Sequence, residues 1–479
     1  MYDCNSLFQT ILHVFYGFFQ VVYLISFLTD LYILTRPKDI VDMKELVLLG
    51  EDDYPFIILL YPVLKEPKEV MKTSFRSMAK LNYPKNRFRI ISIPNTDDLT
   101  TIQSLKELQK EFAFLEIMEI PPTTDPSWHV VWDNWDQNKK AYWWHVGKHA
   151  KNPNLPPKKT RQLIYAFYHL AKETKGDFLL NYIDADTCLP VDHFLAAAVG
   201  IRHYDVLQAT NIAGNLNDSL AASFHALDHL IWDGYKYPHL SAHGKHPYWV
   251  LGKALFYKAS DLLALGGLHP WMAIEDPEIG LRLWKNGKRL GIIEKPVIEE
   301  VPRTFRGGIV QRKRWVCGFF QTLSEPMERL NMTFGQKLLA WSNFVPCLLL
   351  WTNVFSWPFS LWAFIGYLHG YPCLSPWLIY MSLFNIASAV TMLLSIFVII
   401  LVRTWLVLGT WRARFWYMLR INPLTAIFWW MLWIIPLCLG FNMFRKDGGL
   451  VWVRTTKVNA NVHLFKNKVV QWFHHVGGR

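Results

Sequence analysis

Phe56-Ile57-Ile58-Leu59-Leu60 runs into Tyr61-Pro62, and Phe88-Arg89-Ile90-Ile91-Ser92-Ile93 runs into Pro94-Asn95-Thr96-Asp97-Asp98. Both runs are short, apolar and closed by turn formers, which suits buried strands. Val70 to Leu81 lies between them with helical spacing and stops before Tyr83-Pro84. A second helix is expected from about Thr101 to Phe112. Strand, helix, strand, helix at these separations predicts an α/β domain built on a parallel sheet. Ligands of such sheets sit beyond the carboxyl ends of the strands. That rule singles out Glu66, Asp97 and Asp98.

A third apolar run, Phe178 to Ile183, ends in Asp184-Ala185-Asp186. Two carboxylates one residue apart at a strand end can share a hard cation with a diphosphate; a polar turn is the plainer explanation. Further on, Glu275-Asp276 opens a helix expected over Pro277 to Asn286. Acids at a helix start suit the dipole. Adjacent carboxylates also repel, which lifts one pKa toward that of a general base. Gln311-Arg312-Lys313-Arg314-Trp315 follows Arg303 and Arg306. Such a cluster can face lipid headgroups or bind a phosphate and a ring. Pro121 to Pro157 is rich in Trp, His, Asn, Lys and Pro without clear periodicity, and reads as a long insertion or loop. Its aromatic residues can stack on sugars, but packing is the commoner fate of Trp.

Of 479 residues, 52% are hydrophobic and 18% charged, against roughly 25% charged in soluble domains. That balance excludes a disordered or fibrous chain and argues against a wholly soluble one. Leu7 to Leu34 contains one charged residue, Asp30, and no basic start, so it reads as an uncleaved membrane span rather than a signal peptide. Leu338 to Val402 contains no Asp, Glu, Lys or Arg and breaks at Gly370-Tyr371-Pro372 and Ser375-Pro376, which predicts a helical hairpin. Ile421 to Phe444 is also uncharged but has Arg420 before it and Arg445-Lys446 after it. Basic residues mark the cytoplasmic side, so an interfacial or re-entrant helix is expected there, with a full span as the alternative. Arg36 and Lys38 put the end of the first span inside, the middle domain in the cytoplasm and the Gly370–Ser375 loop outside. The expected organisation is a span at 1–36, the α/β domain at 50–326, the hairpin at 337–403, interfacial helices at 404–449 and a cytoplasmic tail at 450–479. The six Cys show no CxxC pair and read as reduced. His225, His229, His239, His243 and His246 cluster, but no acid or Cys completes a ligand set in the sequence. The net charge of +12 suits the cytoplasmic membrane surface and an anionic donor; nucleic-acid binding is not expected.

Taken together, the motifs resemble those of the membrane-integrated family 2 glycosyltransferases, which include cellulose and hyaluronan synthases. Asp184 and Asp186 match the DxD pair; Glu275 and Asp276 match the ED pair, with Ile274 where Thr is usual; Gln311, Arg314 and Trp315 match QxxRW. Tyr61 to Pro67 is similar to the opening nucleotide-binding turn, and Trp452-Val453-Arg454-Thr455-Thr456-Lys457 resembles the gating loop that closes over the nucleotide. The resemblance implies a GT-A catalytic domain with membrane and interfacial helices. It implies inverting hexosyl transfer at the cytoplasmic face of the plasma or inner membrane, from a nucleotide-diphosphate sugar of the UDP-sugar kind to a growing polysaccharide, coupled to export. It assigns Asp276, beside Glu275, as the catalytic base. Donor contacts fall to Glu66, Asp97 or Asp98, Asp184, Gln311, Arg314, Thr455 and Lys457. Asp186 with Asp184 would hold Mg²⁺ or Mn²⁺, and Trp315 the acceptor. With about three spans, a channel would need a second copy or an export partner. Two alternatives stand: one-sugar transfer to a polyprenyl phosphate, and a non-catalytic scaffold on a transferase fold. Specificity is expected around Val250 to Phe256 and Gly266 to Trp271.

Overall fold

The structure is a computed structural model in which residues 7–344, 358–370, 373, 375–446, 457–465 and 471–475 are described. Its centre is a seven-stranded sheet in the order β3-β2-β1-β4-β6-β5-β7. The strands are β1 (Ile57–Pro62), β2 (Phe88–Ile93), β3 (Leu115–Ile117), β4 (Leu179–Tyr182), β5 (Val206–Ala213), β6 (Leu255–Lys258) and β7 (Leu290–Glu299). All pairings are parallel except those of β6, which runs antiparallel to both β4 and β5. This is the α/β class read from the sequence, with one reversed strand that the sequence did not announce.

Alternation within β1 shows why the strands are continuously apolar. Ile58 and Leu60 enter one core, while Ile57, Leu59 and Tyr61 enter the other. Both faces are covered, so the period-two pattern carries no polar face. The register aligns Pro62 with Ile93, and Leu60 with Tyr182. The loops bearing Glu66, Asn95–Asp98 and Asp184–Asp186 therefore leave from one edge. Reversal of β6 sends its amino end, preceded by Gly252-Lys253, to that same edge.

The Pro121–Pro157 stretch is not an irregular loop. It holds short helices at His129–Gln137 and Tyr142–His145. Trp128, Trp135, Trp143 and Trp144 are buried in one of the two sheet cores, so the packing reading holds and sugar stacking does not. Tyr142 donates to Glu278 Oε1 at 3.1 Å. Glu278 is fully buried and pairs with Arg282, which is 2% exposed, at 2.7 Å. Arg282 also donates to the carbonyls of Leu265 (2.6 Å) and Gly267 (2.8 Å). Gly266 and Gly267, both at positive φ, press on Ala141 and Tyr168. The Gly266–Trp271 stretch thus supports the Asp276–Lys285 helix. Arg282→Met should leave Glu278 buried without its partner and lower stability by about 3–5 kcal/mol. The check is an earlier melting transition in detergent, with Trp fluorescence as the probe.

Among the described residues, three helices are long and apolar enough to cross a membrane: Gln9–Tyr32, Pro376–Thr404 and Pro423–Arg445. A shorter apolar helix spans Pro358–Leu368. Gln20 joins the Gln9–Tyr32 helix to the Pro358–Leu368 and Pro376–Thr404 helices, accepting from Ser360 Oγ (2.7 Å) and from Asn385 Nδ2 (3.2 Å, at its carbonyl). Polar groups in an apolar bundle hold helices this way because lipid offers them no partner. Arg403 ends one of the long helices and donates to the carbonyls of Gly234 (3.0 Å) and Asn211 (3.2 Å). A side chain at Gly234 would collide with that guanidinium. Asp30 of the first helix meets Lys236 at 2.8 Å. Two of the long apolar helices are therefore anchored to the α/β domain by charged and backbone contacts. The expectation of reduced cysteines needs one correction: Cys373 is disulfide-bonded. It lies in the loop the charge rule places outside, where oxidation is favoured.

Candidate functional site

A cavity of about 230 Å³ opens where the strand ends meet the Phe305–Thr322 helix. It gathers residues from stretches far apart in the chain: Glu66, Asp184 and Asp186, Glu275 and Asp276, Gln311, Arg314 and Trp315, and Lys457. Asp97 and Asp98 are not among its lining residues. Asp98 is 5% exposed and caps the Leu99–Glu111 helix through Thr101 N at 3.3 Å. Its other oxygen accepts from Lys65 N at 2.6 Å, at a left-handed residue with φ 51°. Asp98 thereby holds the turn that presents Glu66. Asp97 is exposed. Thr455 and the rest of its motif before Lys457 lie outside the described residues.

Each carboxylate of the Asp184–Asp186 pair meets a lysine. Lys159 Nζ donates to Asp184 Oδ1 at 2.7 Å and lies 3.6 Å from Glu275 Oε1. Lys159 Nζ also reaches the carbonyl of Gly252. Burial alone would raise the Asp184 carboxyl; Lys159, Lys253 and Lys457 outweigh it and hold the group at about 2. Lys457 Nζ donates to Asp186 Oδ2 at 2.6 Å, and Glu300 N donates to the same oxygen at 2.8 Å. Asp186 is 3% exposed, and its Oδ1 has no hydrogen-bond partner. A buried, unsatisfied carboxylate oxygen beside a second carboxylate suits a hard divalent cation. Among the described residues no cluster of three or more His, Cys, Asp or Glu could hold a metal. The pair therefore fits a cation only with donor oxygens completing the shell, as Mg²⁺ and Mn²⁺ accept from a diphosphate.

Asp276 stands apart from the other acids. Burial and then the charge of Glu275 push it up to about 7, against the opposing pull of Lys159 and Lys253. Gly252, whose carbonyl takes Lys159, lies against both acids: a Cβ there would sit 3.4 Å from Asp276 Cγ. The acid pair and the DxD pair are thus linked through one glycine and one lysine. Arg314 completes the ring. Burial lowers its pKa, while Asp184, Glu275 and Asp276 oppose that.

Several groups here were not read from the sequence. Lys158 and Lys159 open the Lys159–Glu173 helix, where the dipole disfavours cations. That misplaced charge was the available signal. Glu299 and Glu300 close β7. Glu299 takes Lys253 Nζ and Asn211 Nδ2, while Glu300 accepts from Val458 N (2.9 Å) and Ala460 N (2.5 Å). The π-helix His229–Lys236 lines the cavity with His229, Trp232 and Asp233. His229 meets Asp233 at 2.6 Å and Glu299 at 3.4 Å. His225 is fully buried and pushed down to about 2 by burial and by Arg312.

Six aromatic residues of the lining, Trp232, Tyr237, Trp249, Trp315, Phe319 and Trp433, belong to one buried apolar cluster or pack against it. Arg312 stacks over Trp315 (5.3 Å), Trp429 (5.0 Å) and Trp433 (5.5 Å). Its charge is met by Asp228 at 2.9 Å. The arrangement can bind an anion at the Lys159–Arg314–Lys457 end, a ring at the aromatic end, and take a proton between them.

The family model of glycosyl transferase family group 2 matches residues 179–444, more than half of the chain. No curated protein matches. Among solved structures, the mannosyltransferase PcManGT from Pyrobaculum calidifontis, in complex with GDP-Man and Mn²⁺, is similar at 13% identity and a TM-score of 0.48, over 89% of this chain and 95% of that one. S. aureus TarS is similar at 13% identity and 0.34, over 60% of this chain and 42% of that one. Its 1–349 fragment with UDP-GlcNAc is similar at 12% identity and 0.32, over 69% and 88%. The mixed seven-stranded sheet with its single reversed strand and the family match make the catalytic domain GT-A.

Proposed function

Because the chain belongs to glycosyl transferase family group 2, we propose that it transfers a sugar, with inversion, from a nucleotide-diphosphate donor to a hydroxyl of a glycan at the cytoplasmic membrane face. The observation that carries this reading is the single cavity in which Asp276, Asp184, Asp186, Arg314 and Lys457 meet. In the reaction the acceptor oxygen forms a bond to the anomeric carbon and the bond to the diphosphate breaks. The nucleoside diphosphate leaves with the electron pair, and the acceptor proton passes to Asp276. Lys159, Arg314 and Lys457 oppose the charge that develops on the leaving group. Asp186 and Asp184 would hold a divalent cation, which would supply further positive charge toward the diphosphate. Gln311, on the same helix as Arg314, lines the cavity and has a buried Oε1 that makes no hydrogen bond. Trp315 and its aromatic neighbours support the acceptor ring.

The acceptor half argues for a sugar over a polyprenyl phosphate. Its aromatic faces suit a pyranose ring. Processive elongation follows if the product stays on these faces, and export if a second copy or a partner completes a path through the bilayer. The cytoplasmic orientation is supported by Arg36 and Lys38 at one end of the first span and by the bonded Cys373 in the opposite loop.

Membranes containing the protein, incubated with a panel of labelled nucleotide sugars, test the reading. A ladder of labelled polymer from one donor is expected. A single organic-extractable labelled lipid would replace the glycan acceptor with a lipid phosphate. Absence of transfer from every donor would leave a scaffold.

A further inference from the structure

Glycine inside a helix costs roughly 0.5–1 kcal/mol relative to alanine, so a mid-helix glycine invites a reason. Gly318 lies in the fourth turn of the Phe305–Thr322 helix, four residues after Arg314, and is buried. Residues four apart share a helix face, so Gly318 points the way Arg314 does. What meets it there is Ile274. A Cβ added at Gly318 would lie 2.3 Å from Ile274 Cγ1, 3.1 Å from Cδ1 and 3.3 Å from the Ile274 backbone nitrogen. The isoleucine that stands in place of a hydroxyl residue is thus a knob seated in a notch.

Two more contacts hold the same segment. Gln321 Oε1, three residues after the notch, accepts from Ala273 N at 2.6 Å. Lys158 Nζ donates to the carbonyl of Met272. Asp276 follows two residues after Ile274 and opens the next helix. On the other side of the Phe305–Thr322 helix, Gly440 packs on Lys313 and Val316, where a Cβ would lie 2.7 Å from the Lys313 carbonyl. The helix bearing Arg314 is therefore fitted closely on one side to the acid-pair segment and on the other to the last apolar helix.

We infer that Gly318 and Ile274, with Gln321, are positioning residues that set Asp276 against the Arg314 end of the cavity. The inference rests on Asp276 being the acceptor base. An added methyl at Gly318 must push Ile274 away, and Asp276 with it. Displacement of a reacting group by about 1 Å costs on the order of 10²-fold in rate. Donor contacts made by Asp184, Lys159 and Lys457 lie on other elements and stay in place.

The test uses full-length protein in detergent or nanodiscs, with labelled donor turnover, donor KM and nucleoside-diphosphate affinity measured together. Gly318→Ala should lower kcat by about 10–100-fold while donor KM and nucleotide affinity stay within about twofold. Ile274→Ala should cost less. The double variant should recover most of the loss, because removing the knob makes room for the methyl. Should Gly318→Ala fail to accumulate, Gln321→Leu carries the same expectation through the lost Ala273 bond. Wild-type kcat in Gly318→Ala, no recovery in the double variant, or equal loss of nucleotide affinity each overturns the inference. Asp276→Asn is measured alongside. A normal rate there removes the base, whereas a slow Asp276→Asn with an unaffected Gly318→Ala removes only the positioning.

Discussion

Asp276→Asn should lower sugar turnover by about 10²–10⁴-fold and leave nucleotide binding nearly unchanged. The amide keeps the shape and loses the ability to accept the acceptor proton. The pH profile gives an independent reading. Burial and Glu275 push Asp276 up to about 7, so the base is protonated below that pH. Turnover by the unmodified protein should fall about tenfold per unit below pH 7, and the small residual rate of Asp276→Asn should lack this limb. Stability should move the opposite way. A carboxyl whose folded pKa is raised stabilises fully below its unfolded value of 3.8 and loses that contribution as pH rises through about 7. At pH 8 the unmodified protein carries the cost of a half-buried charge beside Glu275, and the Asn variant does not. After allowance for solvent screening this amounts to roughly 1–3 kcal/mol, seen as a higher melting temperature for the inactive variant. Normal turnover in Asp276→Asn, or an acid limb that survives the substitution, would take the proton-accepting role away from this residue.

The sequence disclosed those parts of the site whose chemistry is tied to short spacing. Asp184 and Asp186 end a strand, Glu275 and Asp276 start a helix, and Gln311, Arg314 and Trp315 share a helix face, so each can be read locally. Lys159 could not be read in that way. Its partners, Asp184 and Glu275, are 25 and 116 residues away, and only the folded sheet brings them together. The choice between Asp97 and Asp98 was open because both follow a strand; the fold commits Asp98 to a helix cap and to the turn before Glu66. The Trp-rich stretch misled for a physical reason. Its helices bury aromatic residues on several sides, so no single apolar stripe marks them. Ile274 looked like a lost hydroxyl until Gly318 supplied its notch. The π-helix left no trace in the sequence, since its wider turn serves Gly234 and Arg403, which are 169 residues apart.

Lys457→Met should separate two roles that one side chain now combines. Lys457 holds Asp186 at 2.6 Å and also reaches the Glu300 carbonyl at 3.2 Å. Burial works against its charge, yet Asp186, Glu299 and Asp184 keep it protonated. The chain after it is fixed by other contacts. Glu300 takes Val458 N and Ala460 N, and Asn461 Nδ2 donates to the Asp186 carbonyl at 3.2 Å. Removing the ammonium therefore leaves this segment seated. Without donor, the ammonium and a divalent cation compete for the same carboxylate. Lys457→Met should then bind Mn²⁺ more tightly, on the order of tenfold or more for the loss of one adjacent positive charge. Turnover should nevertheless fall by about 10²–10³-fold, because that charge no longer opposes the leaving diphosphate. Lys457→Arg keeps the charge and should fall between the two. Mn²⁺ titration of the donor-free protein and steady-state turnover measure the two effects separately. Unchanged Mn²⁺ affinity would mean that Asp186 holds no cation, and unchanged turnover that Lys457 never leaves Asp186 for the donor. Opposite signs in the two measurements follow only if the lysine trades one anionic partner for another as the donor binds.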